Sequence, residues 1–368
     1  MIYALTNATV FTGKERTTGK VILIENDFIK DLVDPGSVPA GAKVVDYNGC
    51  FISPGLIDLQ IAGAGGYLFS ENPSPKALNA IIESIIKSGT AGFLIVAPTN
   101  SFKTYRELIK VLKQNPHPAL LGLHLEGPYI NSIKGGAHNP DFIKKPDRKE
   151  ISELLDEADG IVKMITLAPE ICNSEFIKSI SDYGVVVAAG HSNATFKEAK
   201  KGFEWGIKST THLFNAMSQF HHRDPGLPGA TLISENVYAS IIADGIHVNY
   251  NTIAIAKSIM KNRLFLVSDA VEENLNGAYL HTRQKDRFTL PDGKLSGSVL
   301  TMLNAVKNCV QYVGIGLDEA LRMASNYPAQ IIDSNDRGYI AEDYKANLTI
   351  FDINYNVKQV IIDGEFYL

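Results

Sequence analysis

The strongest constraint on the fold is the alternation of short apolar runs with amphipathic stretches through the middle of the chain. Eight runs rich in β-branched and aromatic residues are typical of strands, and helix-like segments such as SPKALNAIIESIIKSG separate them. The predicted strands are 56–61, 93–99, 120–126, 163–170, 185–191, 209–214, 238–245 and 264–270. Alternating strands and helices favour parallel βαβ units, and eight such units predict an α/β fold of the TIM type, a (β/α)8 barrel.

A doubly wound open sheet is the alternative architecture. No GxGxxG or Walker loop opens the first βα unit, and GAGG at 63–66 is too short and wrongly spaced for either motif. The barrel is therefore the preferred prediction. Beyond the eighth strand, segments 294–314 and 317–333 predict two further helices, the first beginning just after Gly297.

The two chain ends predict a small β domain. Both contain short runs of alternating or β-branched apolar residues broken by Gly, Asn or Asp. Neither end can bury a sheet alone, because isolated hairpins are marginally stable in water. We therefore expect residues 1–52 and 335–368 to pair in one small β domain around a catalytic barrel of residues 53–334.

Composition narrows the functional classes and the partners. The formal net charge of −5, from 35 basic and 40 acidic residues, predicts no nucleic-acid partner and no anionic membrane surface. Three widely spaced cysteines suit neither a disulfide framework nor a CxxC metal site. The N-terminus lacks the pattern of a signal peptide, and no apolar stretch approaches the roughly 20 residues of a membrane helix. These features predict a cytoplasmic protein.

Four of the predicted strands carry, at or near their C-terminal ends, residues that can do chemistry: Glu126, His191, His212 and Asp269. The C-terminal strand ends of such a barrel form its active-site face. A Glu and two His that meet there match catalytic zinc sites, which use three protein ligands and a water. Asp269 ends the eighth strand, beside the first in a closed barrel, and is expected to face that water. His124 lies two residues before Glu126 on the same face of the strand, deeper in the barrel. It is expected to be a hydrogen-bonded core residue.

Several loop residues are further candidates. His138 lies in the Gly-rich segment KGGAH, where a packing role is not expected. His247 follows the seventh strand and is a candidate third metal ligand, proton donor or substrate contact. His221, His222 and Arg223 form a cationic cluster after the sixth strand. Because Arg binds phosphate through paired hydrogen bonds, this cluster is a candidate anion site, with a solvated loop as the alternative.

At these residues the chain resembles the amidohydrolase superfamily and, within it, the amino-sugar-phosphate deacetylases. The resemblance extends almost from end to end and rests on an ordered set of motifs. These are PGLIDLQIAGAGG, GLHLEGPYI, KGGAH, AGHSNAT, THLFNAMSQFHHRDPG, ADGIHV, LVSDA and SGSVLTMLNAV. It implies a (β/α)8 barrel with a β-sandwich built from both chain ends, in agreement with the pattern of apolar runs.

The resemblance also implies roles for individual residues. Glu126, His191 and His212 match the metal ligands, and Asp269 matches the catalytic acid/base. His138 matches the residue near the acetyl carbonyl of the substrate. The expected sugar-phosphate contacts are Asn215, the backbone of Ala216, Arg223 and His247. Members of the family are commonly dimers, so we expect a homodimer in which Arg223 serves its own or the neighbouring site.

The implied reaction is the hydrolysis of N-acetyl-D-glucosamine 6-phosphate to D-glucosamine 6-phosphate and acetate. The galactosamine epimer and the cyclic amides of related hydrolases are alternative substrates. A barrel that only binds or assembles is a more distant alternative, which the retention of Glu126, His191, His212 and Asp269 disfavours.

One departure from the superfamily bears on the metal content. Many amidohydrolases carry His-x-His at the end of the first strand, which supplies a second metal position. This chain has Gln60 in the first place, which is neutral and a poor metal ligand. In the second place it has Ala62, which cannot bind a metal. We therefore expect one divalent metal ion per subunit, zinc in the first place, with iron, cobalt and manganese as alternatives.

Overall fold

The N-terminal part of the chain forms short strands that end where the barrel begins. The computed structural model describes residues 1–367. Its first strands are β1 (Ile2–Thr6), β2 (Thr9–Phe11), β3 (Arg16–Thr17), β4 (Val21–Glu25), β5 (Phe28–Val33), β6 (Lys43–Asp46) and β7 (Cys50–Pro54). One sheet has the order β5-β4-β1-β6, whereas β2, β3 and β7 join a second sheet. The last of these strands leads directly into the first strand of the barrel.

The middle of the chain is a parallel barrel. The next strands are β8 (Leu56–Ile61), the short hairpin β9 (Gly63–Ala64) and β10 (Tyr67–Leu68), β11 (Thr90–Pro98), β12 (Leu120–Glu126), β13 (Val162–Leu167), β14 (Val186–Ala189), β15 (Ser209–Thr210), β16 (Tyr238–Ile242) and β17 (Leu264–Val267). Apart from the hairpin, they pair in chain order in one sheet. The Asp269 N–H donates to the Gln60 carbonyl at 3.0 Å, and the Ala62 N–H to the Ala270 carbonyl at 2.8 Å. These bonds join the last strand to the first at the C-terminal rim.

Helices cover the outside of the barrel. They are α1 (Pro75–Lys87), α2 (Phe102–Gln114), α3 (Arg148–Ala158), α4 (Ser174–Ser181), α5 (Phe196–Glu204), α6 (Gly226–Ile233) and α7 (Tyr250–Met260). In α1 the Ser74 side chain accepts from the backbone of Ala77, and Pro75 occupies the first turn, two features that favour a helix start there. Its buried face includes Leu78 and Ile82. The predicted (β/α)8 barrel is confirmed.

A small antiparallel sheet follows the eighth barrel strand. This cap sheet consists of β18 (Thr282–Arg283), β19 (Arg287–Thr289) and β20 (Leu295–Ser298). The prediction of a helix beginning just after Gly297 is wrong, because Gly297 lies in β20 opposite Phe288. Its φ is +135°, and a Cβ there would lie 2.6 Å from the Val271 side chain. Only glycine combines this backbone conformation with room for the Val271 side chain.

Of the remaining helices, the first begins later than the sequence predicted, whereas the second begins at the predicted residue, Leu317. They are α8 (Met302–Asn308), α9 (Leu317–Ala324) and α10 (Asn326–Ile331). Thr301 caps α8 by accepting from the Asn304 backbone, so this helix begins at the first good cap after the cap sheet. The second predicted helix, 317–333, is interrupted at Ser325, whose φ and ψ of −138° and −66° are not helical.

The two chain ends meet in one sheet. Its C-terminal strands are β21 (Leu348–Asp352), β22 (Val357–Ile362) and β23 (Glu365–Tyr367), and its order is β23-β22-β21-β7-β2-β3. The C-terminal run VKQVIIDGEFYL, residues 357–368, predicts one strand, but the strand is divided at Asp363–Gly364, where both residues have positive φ. Leu368, the last residue of that run, lies outside the described residues. Buried side chains from both chain ends form a separate apolar core that includes Leu5, Ile24 and Ile350. In the described chain, no helix has the length and hydrophobicity that crossing a bilayer requires.

Candidate metal centre and substrate cavity

Three of the four expected strand-end residues lie just beyond their strands. The strands β14, β15 and β17 end two residues before His191, His212 and Asp269, so the longer predicted strands were wrong at these ends. Each of the three residues has a left-handed backbone, with φ of 48°, 37° and 54°. This conformation is uncommon for residues with a side chain and costs about 1–3 kcal/mol. Such sharp turns at the rim are typical of functional sites.

Glu126, His191 and His212 converge at the C-terminal end of the barrel. Glu126 Oε1 is 3.0 Å from His212 Nε2 and 3.3 Å from His191 Nε2, and the two Nε2 atoms are 3.1 Å apart. One ligand atom from each residue lies within 4.8 Å of the others. All three side chains are buried. The group can therefore hold a divalent metal ion.

The donor set fits a metal ion in chemistry and in spacing. His191 Nδ1 lies 2.9 Å from the Lys134 carbonyl, which can only accept, so the Nδ1 proton points there and Nε2 has a free lone pair. That lone pair faces the carboxylate of Glu126, an arrangement that a cation stabilises. Ligands about 2.0–2.1 Å from a tetrahedral zinc lie roughly 3.3 Å from one another, close to the observed separations.

Electrostatics keep the carboxylate of this group ionised. Burial alone would raise the pKa of Glu126, but His138, His191 and His212 hold the pKa well below its usual range. Burial, together with the nearby His138, lowers the pKa of His191 to about 4. His191 is therefore neutral near pH 7, the state in which imidazole binds a metal. Burial lowers the pKa of His212, but Glu126 raises it more, and the net shift is upward.

Gln60 connects this group to Asp269. Its side-chain amide donates to Asp269 Oδ1 at 2.9 Å and to Glu126 Oε1 at 3.1 Å. Burial and the negative charge of Glu126 raise the pKa of Asp269, which favours a carboxyl group that exchanges a proton. From the sequence, Gln60 was predicted only to be a poor ligand, and this bridge was not predicted. The signal available was its position on the first strand, which adjoins the eighth once the barrel is closed.

His124 lies beneath Glu126 as a hydrogen-bonded core residue. Its Nδ1 donates to the Leu59 carbonyl at 3.0 Å, and its Nε2 is 2.7 Å from Thr166 Oγ1. Both ring nitrogens are thus engaged away from the metal centre. The histidine thus connects its own strand, β12, to β8 and β13 and leaves the carboxylate of Glu126 free to face the rim.

A cavity of about 370 Å³ opens over the metal centre. Four of the five expected substrate contacts line it: His138, Asn215, Ala216 and His247. Arg223 does not line this cavity; it lies on an exposed loop, where its backbone N–H donates to His221 Nδ1. A single copy of the chain therefore assembles the cavity without that guanidinium.

The loop that carries His138 is tied down over the metal centre. The Thr99 N–H donates to His138 Nδ1 at 3.1 Å, which leaves the proton of the neutral ring on Nε2. This Nε2 lies 3.7 Å from Glu126 Oε2 and borders the cavity. His138 is thus positioned to donate a hydrogen bond to a group bound beside Glu126.

His247 lies on the wall of the cavity and outside the group of three converging ligand atoms. Its Nδ1 donates a hydrogen bond of 2.6 Å to Asp244 Oδ2, so the carboxylate of Asp244 is the acceptor of this pair. Burial would raise the pKa of Asp244, but the hydrogen bond and charge of His247 keep the pKa below its usual value. The anionic Asp244 holds the ring of His247 in place. Because the ring lies outside the group of converging ligand atoms, it suits a substrate contact better than a third ligand.

The cap sheet and the residues that flank its strands contribute to the cavity, which the sequence pattern did not predict. Tyr279, His281, Lys294 and Ser296 all border it. The Tyr279 hydroxyl donates to the Thr99 carbonyl, and Lys294 Nζ donates to the Gly136 carbonyl at 2.8 Å. These bonds connect the cap sheet to the elements around His138. The motif SGSVLTMLNAV covers only the end of this segment, from Ser296 on, and a helix had been predicted there.

Comparisons with known families agree with this architecture. A model of the amidohydrolase family matches residues 51–366, and a model of the NagA composite domain matches residues 2–52. The crystal structure of N-acetylglucosamine-6-phosphate deacetylase from Pasteurella multocida aligns with a TM-score of 0.96 and 34% identity. That alignment covers 100% of this chain and 99% of the other.

Similar curated proteins include deacetylases of two epimeric substrates. N-acetylglucosamine-6-phosphate deacetylase from Haemophilus influenzae is 33% identical over 383 residues, covering 100% of this chain and 99% of that protein. N-acetylgalactosamine-6-phosphate deacetylase from Shewanella sp. is 32% identical over 326 residues, covering 84% and 82%. Identity alone does not separate the two epimers, whereas coverage favours the first.

Proposed function

The chain belongs to the amidohydrolase family, and from that premise we propose that it hydrolyses N-acetyl-D-glucosamine 6-phosphate to D-glucosamine 6-phosphate and acetate. The observation that carries the proposal is the convergence of Glu126, His191, His212 and Asp269 at one cavity. The end-to-end similarity to deacetylases of this substrate indicates which class of substrate the cavity binds.

We propose that Glu126, His191 and His212 hold one divalent ion per subunit, with zinc the first choice and iron, cobalt or manganese the alternatives. When bound, this ion would lower the pKa of a water molecule to about 7 and polarise the acetyl carbonyl. Gln60 occupies the place between Glu126 and Asp269 with a neutral amide. This arrangement supports one ion rather than two.

Asp269 is the proposed general base and acid. Its carboxylate takes a proton from the attacking water and returns it to the departing amine. Gln60 orients the carboxylate through one oxygen, so the other oxygen is free to exchange the proton. Burial raises the pKa of Asp269, which brings its proton affinity closer to that of the groups with which it exchanges.

The remaining cavity residues bind and orient the substrate. His138 Nε2–H is directed beside Glu126, where it can donate to the acetyl oxygen as negative charge develops there. Asn215, the backbone of Ala216 and His247 are the proposed contacts of the sugar and its 6-phosphate. Binding energy from this remote phosphate helps to hold the amide in the reactive position.

Arg223 is proposed to reach the phosphate of a neighbouring subunit. In its own subunit the side chain is on an exposed loop and outside the cavity. A homodimer that brings this loop to the partner's cavity would add a bidentate phosphate contact. A cytoplasmic location remains a prediction of the sequence.

The second candidate is deacetylation of the galactosamine epimer, which the relative from Shewanella supports. The two substrates differ only in the configuration of one ring hydroxyl, and the same metal centre serves both. An unrelated cyclic amide is the third alternative, because related hydrolases share the barrel.

The deciding experiment measures acetate release from both epimeric 6-phosphates and from unphosphorylated N-acetylglucosamine, with metal content determined on the same sample. We expect about one metal per chain and the highest kcat/KM for N-acetylglucosamine 6-phosphate. A preference for the galactosamine epimer would replace the first candidate with the second. No acetate release from any of the three substrates would reject both.

A further inference from the structure

The cap sheet places an unassigned histidine in the wall of the cavity. His281 is 4% exposed, lies just before β18 and borders the cavity. Two backbone hydrogen bonds with Asn274, of 2.8 and 3.0 Å, fix its main chain. Its Nδ1 is 3.0 Å from Ser296 Oγ on β20. The ring is therefore held from two sides.

The second nitrogen of this ring has no protein partner. Within residues 1–367, His281 Nε2 makes no hydrogen bond. The atom is not fully buried, so a group in the cavity can reach it. A bound ligand would exclude water from this nitrogen, and leaving a buried polar group unpaired is costly. A ligand group in the cavity can supply the missing bond.

The charge state of His281 limits what that group can be. Burial, only partly opposed by the hydrogen bond with Ser296, lowers the pKa of the ring to about 4. The neutral imidazole then offers one hydrogen bond and no charge, which suits a hydroxyl better than a phosphate dianion. In the cavity, the hydroxyls of a sugar ring are the matching groups.

The position of His281 indicates which of those hydroxyls lies near its ring. The ring is close enough to His138 for a positive charge there to lower its pKa further. Tyr279, two residues earlier, packs edge-on against the ring of His138 at 6.4 Å between centroids. His281 thus lies on the side of the cavity that holds the acetamido group. In a hexosamine, the carbons on either side of the acetamido carbon carry the 1- and 3-hydroxyls.

We propose that His281 Nε2 hydrogen-bonds the 1- or 3-hydroxyl of the amino sugar, which makes the cap sheet part of the substrate site. This inference rests on the proposed function, because it takes the acetamido group to lie beside Glu126 and His138. It assigns to His281 the recognition of the ring near the scissile bond. The 4-hydroxyl, which distinguishes the epimers, is left to other residues.

The test compares His281→Ala and His281→Asn with wild-type protein on N-acetylglucosamine 6-phosphate and its 1-deoxy, 3-deoxy and 4-deoxy analogues. With the parent substrate, we expect His281→Ala to lower kcat/KM about 10- to 100-fold, the effect of one lost hydrogen bond to a buried group. Wild-type protein should disfavour one of the 1- or 3-deoxy analogues, and the variant should lose that discrimination. Removal of the 4-hydroxyl should change kcat/KM by the same factor in both proteins. The ratio of kcat/KM between the two epimers should also be the same in both.

Two further variants separate recognition from folding. Lys285→Ala removes an exposed side chain from the same sheet and should leave all kcat/KM values unchanged. Ser296→Ala removes the partner of Nδ1 and should give a smaller loss with the same dependence on the analogue. If His281→Ala does not fold, the Asn and Ser296→Ala variants carry the test.

The possible failures are distinguishable. If wild-type protein hydrolyses the parent but each variant loses the same factor with every analogue, His281 does not contact either hydroxyl, and the proposed function stands. If wild-type protein releases no acetate from the parent, the proposed function fails and this inference fails with it.

Discussion

Replacing Asp269 with Asn tests the proposed proton transfer most directly. The amide has almost the same shape, and its oxygen can still accept the 2.9 Å hydrogen bond from Gln60. It cannot accept a proton from water. General acid–base groups contribute about 10²–10⁴-fold to rate, which corresponds to roughly 3–5 kcal/mol of activation free energy. We expect kcat to fall within that range while the metal content stays near one equivalent.

The assay is steady-state acetate release, together with metal analysis of the same preparation. A second variant, Gln60→Leu, removes the hydrogen bonds that this amide donates to Asp269 and Glu126 and should lower kcat about 5- to 30-fold. Because the two side chains are bonded, their effects should not add: in the Asp269→Asn background, Gln60→Leu should cost far less. Near-wild-type turnover of Asp269→Asn, or additive losses in the double variant, would refute the assigned role.

Three further predictions concern the metal, the dimer and pH. Chelation should abolish acetate release and lower the melting temperature, because the buried carboxylate of Glu126 loses its cation; unchanged melting would contradict a metal in that group. If Arg223 acts on the partner's site, mixed dimers of inactive Asp269→Asn and weakened Arg223→Ala chains should recover activity at low substrate; no recovery means that it does not. Burial raises the pKa of Asp58 to about 7, so its ionisation destabilises the folded state as pH rises from about 4 through 7. Asp58→Asn should remove that part of the pH dependence of denaturant unfolding, and an identical dependence in both proteins would exclude Asp58 as its source.

The barrel was predictable because each unit carries its own local signal. Buried parallel strands require continuous apolar runs, and the covering helices require an amphipathic repeat. Both patterns can be recognised from consecutive residues. The segments 56–61 and 120–126 were predicted with the observed bounds. Bounds failed where tight turns follow the strand, as at His212, because a left-handed residue ends the ladder without any change in local hydrophobicity.

The cap sheet was not predictable from local pattern. Its strands contain two to four residues, and their pairing depends on contacts with other parts of the chain. Gly297 illustrates the difficulty: its neighbours suggest a helix start, but the approach of Val271 requires a glycine in an extended strand. The contribution of His281 and Lys294 to the cavity follows from that packing.

By itself, the sequence determined the fold class and the residue types at the rim, since both depend on apolar periodicity and on where it stops. Only the tertiary structure decided which of those residues meet. Barrel closure sets Gln60 beside Asp269, although 209 positions separate them along the chain. The same packing brings the cap sheet over the cavity and leaves Arg223 outside it. Distances between side chains on different strands are set by closure, register and loop geometry, and no local pattern encodes them.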